Sequence, residues 1–326
     1  MKLLFFGTPE FAVPSLLSLI ESQHQVSAVV TQPDRPKGRG RQTLSSPVKD
    51  MAVSRGIQVS QPNSLSDSRF LHWIFELGSP LAVVVAYGRL FPKVLLKQFS
   101  MGAINLHASL LPEYRGAAPI PWAILQGESK TGVTVFLLDE QLDHGPILTQ
   151  MACDINPEDT TLTLSQRLSR IGSDTLLKTI DLLEKKAIEP KPQDDSKASF
   201  APRLTKQEGI IDWKLSCLEI HNRVRALQPW PGATTWPKRL ASASQESRPR
   251  SLKLLWTHPD PKRQEPKAHP GTIVLADPQK GLWIQTGKGQ LRIDRLQEEG
   301  GKPMETKDFL RGHLLPPGTR FISLIE

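Results

Sequence analysis

Cysteine is nearly missing from this chain of 326 residues: Cys153 and Cys217 are its only two. Two such distant thiols make neither a disulfide framework nor a metal-binding knuckle. Long apolar runs are missing too. None approaches the roughly 18 residues of a membrane-spanning helix, which excludes an integral membrane protein of that kind. The start, Met1-Lys2-Leu3-Leu4-Phe5-Phe6-Gly7, is too short for a signal-peptide core and has no small-residue cleavage site. No leader is expected, and the default compartment is a reducing cytoplasm. Glycine-rich phosphate loops are also lacking. A single glycine in Gly7-Thr8-Pro9-Glu10 follows the first apolar run, and Gly38-Arg39-Gly40 is not followed by the pattern of a phosphate-binding helix. NAD and ATP use are therefore unsupported. No clustered ligands with metal spacing occur, so no metal is expected. Internal repeats are absent, and a monomer is the default expectation.

What is present is an ordinary globular composition, with 38% hydrophobic and 23% charged residues. At roughly 100 to 200 residues per domain, the length suggests two domains. The net charge of +8 is unevenly placed. Residues 1–201 hold 20 basic and 20 acidic side chains, whereas 202–326 hold 21 and 13. A basic C-terminal part attached to a neutral one fits a polyanionic partner such as nucleic acid, or a solubilising surface.

In the first 155 residues, short apolar runs alternate with amphipathic stretches. Lys2 to Gly7, Val26 to Thr31, Leu81 to Ala86, Ala103 to His107 and Val133 to Leu138 read as strands. Val13 to Ser22, Pro47 to Arg55, Asp67 to Leu77 and Pro119 to Gln126 read as helices, several opened by Pro or Asp. This alternation predicts an α/β fold with a parallel sheet covered on both faces. A long helical pattern follows over Glu158 to Lys186 and ends in a charged, proline-bearing run that reads as a linker. Domains are expected at 1–187 and 208–326, joined by 188–207. The second has one helix-like stretch, Leu215 to Leu227, and strand candidates at Leu252 to Trp256, Gly271 to Leu275, Gly281 to Thr286 and Gln290 to Leu296, which suggests a small barrel. Part of Arg248 to Pro270, with its five prolines, is expected as an exposed excursion.

The most chemical segment is Gly102-Ala103-Ile104-Asn105-Leu106-His107-Ala108-Ser109-Leu110-Leu111-Pro112. Residues two apart on a strand share a side, so Asn105 and His107 project together near a strand's carboxyl end, where open α/β sheets place ligands. An Asn amide can stabilise a developing oxyanion, and a His can donate or shuttle a proton. Asp143, in a turn after the next strand, could orient the imidazole or accept a proton. Read alone, His107 also fits a satisfied polar residue and Asp143 an Asx-turn carboxylate. A second segment, Thr31 to Gln42, alternates Arg35, Lys37, Arg39 and Arg41 with Pro and Gly. It reads as a mobile loop suited to phosphate contacts, or as a solvated charged loop.

Several segments together resemble a known family. They are Phe6-Gly7-Thr8-Pro9-Glu10-Phe11, Gln32-Pro33-Asp34-Arg35-Pro36, Gly38-Arg39-Gly40, Ser46-Pro47-Val48-Lys49, Val84-Val85-Ala86-Tyr87-Gly88, Ile104-Asn105-Leu106-His107, Ser109-Leu110-Leu111-Pro112, Arg115-Gly116-Ala117-Ala118-Pro119-Ile120 and Thr131-Gly132-Val133-Thr134, continued by Ile211-Asp212-Trp213 and Pro229-Trp230-Pro231. The chain resembles the methionyl-tRNA formyltransferases over nearly its whole length. The resemblance implies a Rossmann-like catalytic domain and a small OB-type β-barrel domain that binds tRNA. It implies 10-formyltetrahydrofolate as formyl donor and methionyl initiator tRNA as acceptor. Asn105, His107 and Asp143 fall on the catalytic trio, Ser109, Leu110, Leu111 and Pro112 on the folate-binding turn, and Arg39 in the basic loop, with Arg35, Lys37 and Arg41 as further tRNA contacts. Asn105 and His107 are then expected to donate to the formyl oxygen, and Tyr87, Leu90 and Phe91 to offer apolar folate walls. A folate-dependent hydrolase, a sugar-amine or ribonucleotide formyltransferase, and a noncatalytic RNA-binding protein are the competing readings.

Overall fold

The computed structural model describes residues 1–37, 42–238 and 250–323. In chain order its first elements are β1 (Lys2–Gly7), α1 (Val13–Ile20), β2 (Gln25–Val30), β3 (Arg35–Lys37), β4 (Gln42–Leu44), α2 (Pro47–Ser54), β5 (Val59–Ser60), α3 (Ser68–Leu77), β6 (Leu81–Val85), α4 (Lys93–Leu96), β7 (Ala103–His107), α5 (Pro119–Leu125), β8 (Lys130–Leu137), β9 (Ile147–Asp154) and α6 (Thr161–Glu184). Local chemistry sets several boundaries. Ser46 Oγ accepts from Lys49 N at the start of α2, where Pro47 needs no backbone donor, and Asp67 caps α3 by accepting from Phe70 N. Gly78 ends α3 in the left-handed conformation.

The large sheet of the first unit runs β5-β2-β1-β6-β7-β8-β9. Its first five strands are parallel and form the Rossmann-like part. All five residues of β6 are buried, as expected for a central strand covered on both faces. The sheet is not parallel throughout, because β8 and β9 add an antiparallel pair. The connection 138–146 is shorter than the dozen or more residues a parallel crossover needs. Against β7, α6 lies close enough that a Cβ at Gly172 would meet Leu106 Cδ2 at 2.7 Å.

Further elements are α7 (Cys217–Ala226), β10 (Ala233–Pro237), β11 (Leu252–Asp260), β12 (Ile273–Asp277), β13 (Gly281–Gln285), β14 (Gln290–Glu298), β15 (Met304–Glu305), α8 (Thr306–Gly312) and β16 (Phe321–Ile322). Ser216 and Glu219 form a reciprocal capping box at the start of α7. The sheet order is β12-β13-β14-β11-β10-β16, with β15 beside β14. Ile273 N donates to Thr319 O, Gly318 N to Ile273 O and Phe321 N to Gly271 O, so the last strand returns to the first and a small antiparallel barrel closes. Ile220 and Val224 of α7 and Phe309 of α8 pack in its core. Part of the expected excursion is strand: β11 continues through Pro259, which is tolerated because β10 pairs only with Leu252, Lys253 and Leu254 and leaves that end as an edge. Arg248 and Pro249 lie outside the described residues.

The chain divides into two units that interleave in sequence. The first comprises 1–119, 129–155 and 164–202, and the second 120–128, 156–163 and 203–326. The short segments join the second unit through α7. Arg225 Nη1 donates to Asp159 O at 2.8 Å, and Thr161 Oγ1 to Ala226 O at 2.6 Å. Much of the expected linker 188–207 is no free span. Lys191 bridges Ile147 and Phe200 bridges Arg115, which ties that stretch to the first unit through Pro202.

Candidate active site

Asn105 and His107 stand two apart at the carboxyl end of β7, on one side of the strand. Asn105 is half-buried, and its side-chain amide has no hydrogen-bond partner among the described residues. His107 is 6% exposed. Its Nε2 lies 2.9 Å from Tyr114 O, and its Nδ1 lies 3.7 Å from Asp143 Oδ2. Nε2–H donates to that carbonyl, so Nδ1 is the nitrogen turned toward the carboxylate. The Nε2–H of His107 is thereby committed to the Tyr114 carbonyl. Asn105 remains the free donor.

Asp143 is buried, and its backbone is held at φ +49°, a left-handed conformation that Asp tolerates better than most residues. Gly116 N donates to its Oδ2 at 2.8 Å. Gln193 Nε2 donates to Asp143 O and Gly145 O at 2.9 and 2.8 Å. Gln193 Oε1 accepts from Arg115 Nε and Nη2 at 3.0 and 2.8 Å, and Arg115 Nη2 also reaches Asp195 Oδ1 at 2.8 Å. Beside the turn, the hydrogen bond from His144 Nδ1 to Asp139 holds the imidazole pKa above its ordinary value. Hydrogen bonding from Arg115 lowers that of Asp195.

The turn Ser109 to Pro112 is braced from β8 and β9. Thr134 Oγ1 donates to Ser109 O at 2.7 Å and accepts from Leu111 N at 3.1 Å. Gln150 Nε2 donates to Leu111 O at 2.8 Å and to Thr134 Oγ1 at 3.0 Å. The Ser109 hydroxyl donates to Glu113 O at 2.6 Å. Leu110 lies over Gly132, where an added Cβ would approach Leu110 Cδ2 to 2.6 Å.

The other expected residues are dispersed. Tyr87 and Phe91 belong to an aromatic core with Phe6 and Phe99 rather than to a wall, and burial raises the Tyr87 pKa. Leu90 is 65% exposed. Arg35 and Lys37 lie on β3, which pairs antiparallel with β4, so the basic segment begins as a two-stranded ribbon instead of an unpaired loop. Arg39 and Arg41 lie outside the described residues. Sequence reasoning missed Thr134, Gln150, Arg115 and Gln193. The first and third lie inside quoted motifs, whereas Gln193 sits in a charged, proline-bearing run that looks like a linker.

Fold and site together define a formyl transferase: the chain matches the formyl transferase family over residues 1–180 and the formyl transferase C-terminal domain over 203–314. It is 43% identical to a methionyl-tRNA formyltransferase of Desulforamulus reducens, covering 98% of this chain and 97% of that one. A methionyl-tRNA formyltransferase of Coxiella burnetii is also 43% identical, over 98% of this chain and 99% of its own. The chain belongs to the methionyl-tRNA formyltransferase family. Among solved structures, the N-formyltransferase of Helicobacter canadensis, in complex with folinic acid and dTDP-3-aminofucose, shares the fold with a TM-score of 0.64 at 19% identity, covering 92% of this chain and 100% of that one.

Proposed function

We propose that the chain transfers the formyl group of 10-formyltetrahydrofolate to the α-amino group of methionyl initiator tRNA for translation initiation. The observation that carries this reading is the Asn105, His107 and Asp143 constellation at the carboxyl end of β7, in a chain matching methionyl-tRNA formyltransferases end to end.

The attacking amine has a free pKa of about 7.7 to 8.0, so a useful fraction is neutral at cellular pH. Its lone pair forms the new C–N bond, and the formyl carbonyl's π electrons move to oxygen. Asn105 donates to that oxyanion. The attacking nitrogen gives up a proton to His107 Nδ1, and Asp143 stabilises the imidazolium. When the oxyanion collapses, the bond from formyl carbon to the folate nitrogen breaks and that nitrogen takes a proton. Tetrahydrofolate leaves. The braced turn Ser109 to Pro112, beginning two residues after His107, presents backbone groups to the pterin.

Catalysis belongs to the first unit and tRNA grip to the basic second unit, with Arg35, Lys37, Arg39 and Arg41 as a separate phosphate-contacting segment. No helix among the described residues is long and apolar enough to cross a membrane. The two cysteines are free, as suits a reducing cytoplasm, where we place the protein as a monomer. Asn105→Ala is expected to lower the single-turnover rate by about 10² to 10³. A near-normal rate would overturn the oxyanion role.

A further inference from the structure

The carboxylate of Asp143 does not hold its place unaided. Its turn leaves β8 in a conformation few side chains accept, and at Gly145 an added Cβ would lie 1.8 Å from Leu137 O. The turn therefore backs directly onto the strand it has just left. Two attachments fix it from the other side. Gly116 N holds the carboxylate, and the Gln193 amide binds the carbonyls of Asp143 and Gly145, one before and one after His144.

Gln193 is in turn oriented by Arg115. Both Nε and Nη2 converge on Oε1, which fixes which end of the amide faces the turn. Arg115 is 5% exposed and anchored by Asp195, and it directly precedes Gly116 in the chain. One dipeptide thus controls both attachments. With two donors and a doubly used acceptor, the Gln193 amide is fully satisfied.

From this arrangement we infer that Gln193, oriented by Arg115, is a positioning residue for formyl transfer, holding the Asp143 turn so that the carboxylate faces His107 Nδ1. The inference rests on the catalytic reading of Asp143. Gln193 acts through that turn, its amide taken up by Asp143 O, Gly145 O and Arg115.

The test is a double-mutant cycle in the full chain, read by single-turnover formyl transfer and by steady-state kcat and KM. Gln193→Leu is expected to lower kcat by about 10-fold to 100-fold through misplacement of the turn. KM for methionyl tRNA and for the formyl donor should stay within about twofold, because uniform binding is untouched. In an Asp143→Ala background the same substitution should cost less than about threefold, the signature of groups acting through one another. If Gln193→Leu does not fold, Gln193→Glu keeps the acceptor for Arg115 but sets a carboxylate against two carbonyls, and the same loss is expected. Unchanged kcat in the Gln193 variant, with Asp143→Ala crippled, overturns the positioning role alone. Additive losses in the cycle also overturn it. Wild-type transfer by Asp143→Ala removes the catalytic reading and this inference with it.

Discussion

At the residue scale, glycine matters most at Gly116. Its φ of +127° suits no other side chain, and an added Cβ would lie 2.6 Å from Ala201 O. Its N–H also supplies the hydrogen bond to Asp143 Oδ2. Gly116→Ala should therefore move the bridge between Arg115 and Phe200 and release the carboxylate. The expected result is a loss of about 1 to 3 kcal/mol in stability by urea unfolding, together with slower formyl transfer. Unchanged stability and rate would show that the backbone there relaxes freely. Residues of this scale divide sharply in legibility. The spacing of Asn105 and His107 dictates a shared side wherever that segment is a strand, so the pair was readable. The hydrogen bond from His107 to Tyr114 O was not, because it depends on how the chain turns after Pro112. Gln193 was hidden for the same reason: nothing local distinguishes a bridging amide from a solvated one.

At the element scale, continuous apolarity made β1, β6 and β7 readable, and proline and acceptor caps made α2 and α3 readable. The edge strand β9 escaped, since its largely exposed sequence Ile147 to Asp154 shows no clean alternation. β10 and β16 escaped because five-residue and two-residue strands gain their identity only from barrel closure. The β3–β4 ribbon is not legible as paired strands, because its Pro- and Gly-interrupted sequence shows no apolar alternation, yet its base is well anchored. Asp34 accepts from Lys49 Nζ and Gln61 Nε2, and these bonds, led by Lys49, hold its carboxyl below the ordinary range. An anchored base carrying a basic segment suits a phosphate contact. Arg39→Ala should weaken tRNA-dependent turnover while leaving folate binding unchanged, and should reduce the salt slope by about 0.7 to 0.9 for one lost contact. Equal loss of both activities would mark the segment as structural.

At the scale of the whole molecule, the basic excess after residue 201 belongs to a chain segment whose barrel was legible from its short strands and turns. Its closure and the interleaving of the two units were not, because both depend on long-range pairing. The second unit also carries a pH dependence. Burial, with a smaller contribution from Arg225, lowers the His221 pKa from 6.5 to about 4. A group protonated more readily when unfolded favours unfolding as pH falls, so this contribution is intact above about pH 6.5 and erodes toward about pH 4. The loss is on the order of 2 kcal/mol after allowing for partial exposure. His221→Gln should flatten that slope in urea titrations; an unchanged slope would place the sensitivity elsewhere. The direct measurement of the proposed activity is transfer of labelled formyl from 10-formyltetrahydrofolate to charged initiator methionyl tRNA, with elongator methionyl tRNA beside it. Rapid labelling of the initiator and little of the elongator is the expected result, and hydrolysis of the donor with neither tRNA labelled would contradict it.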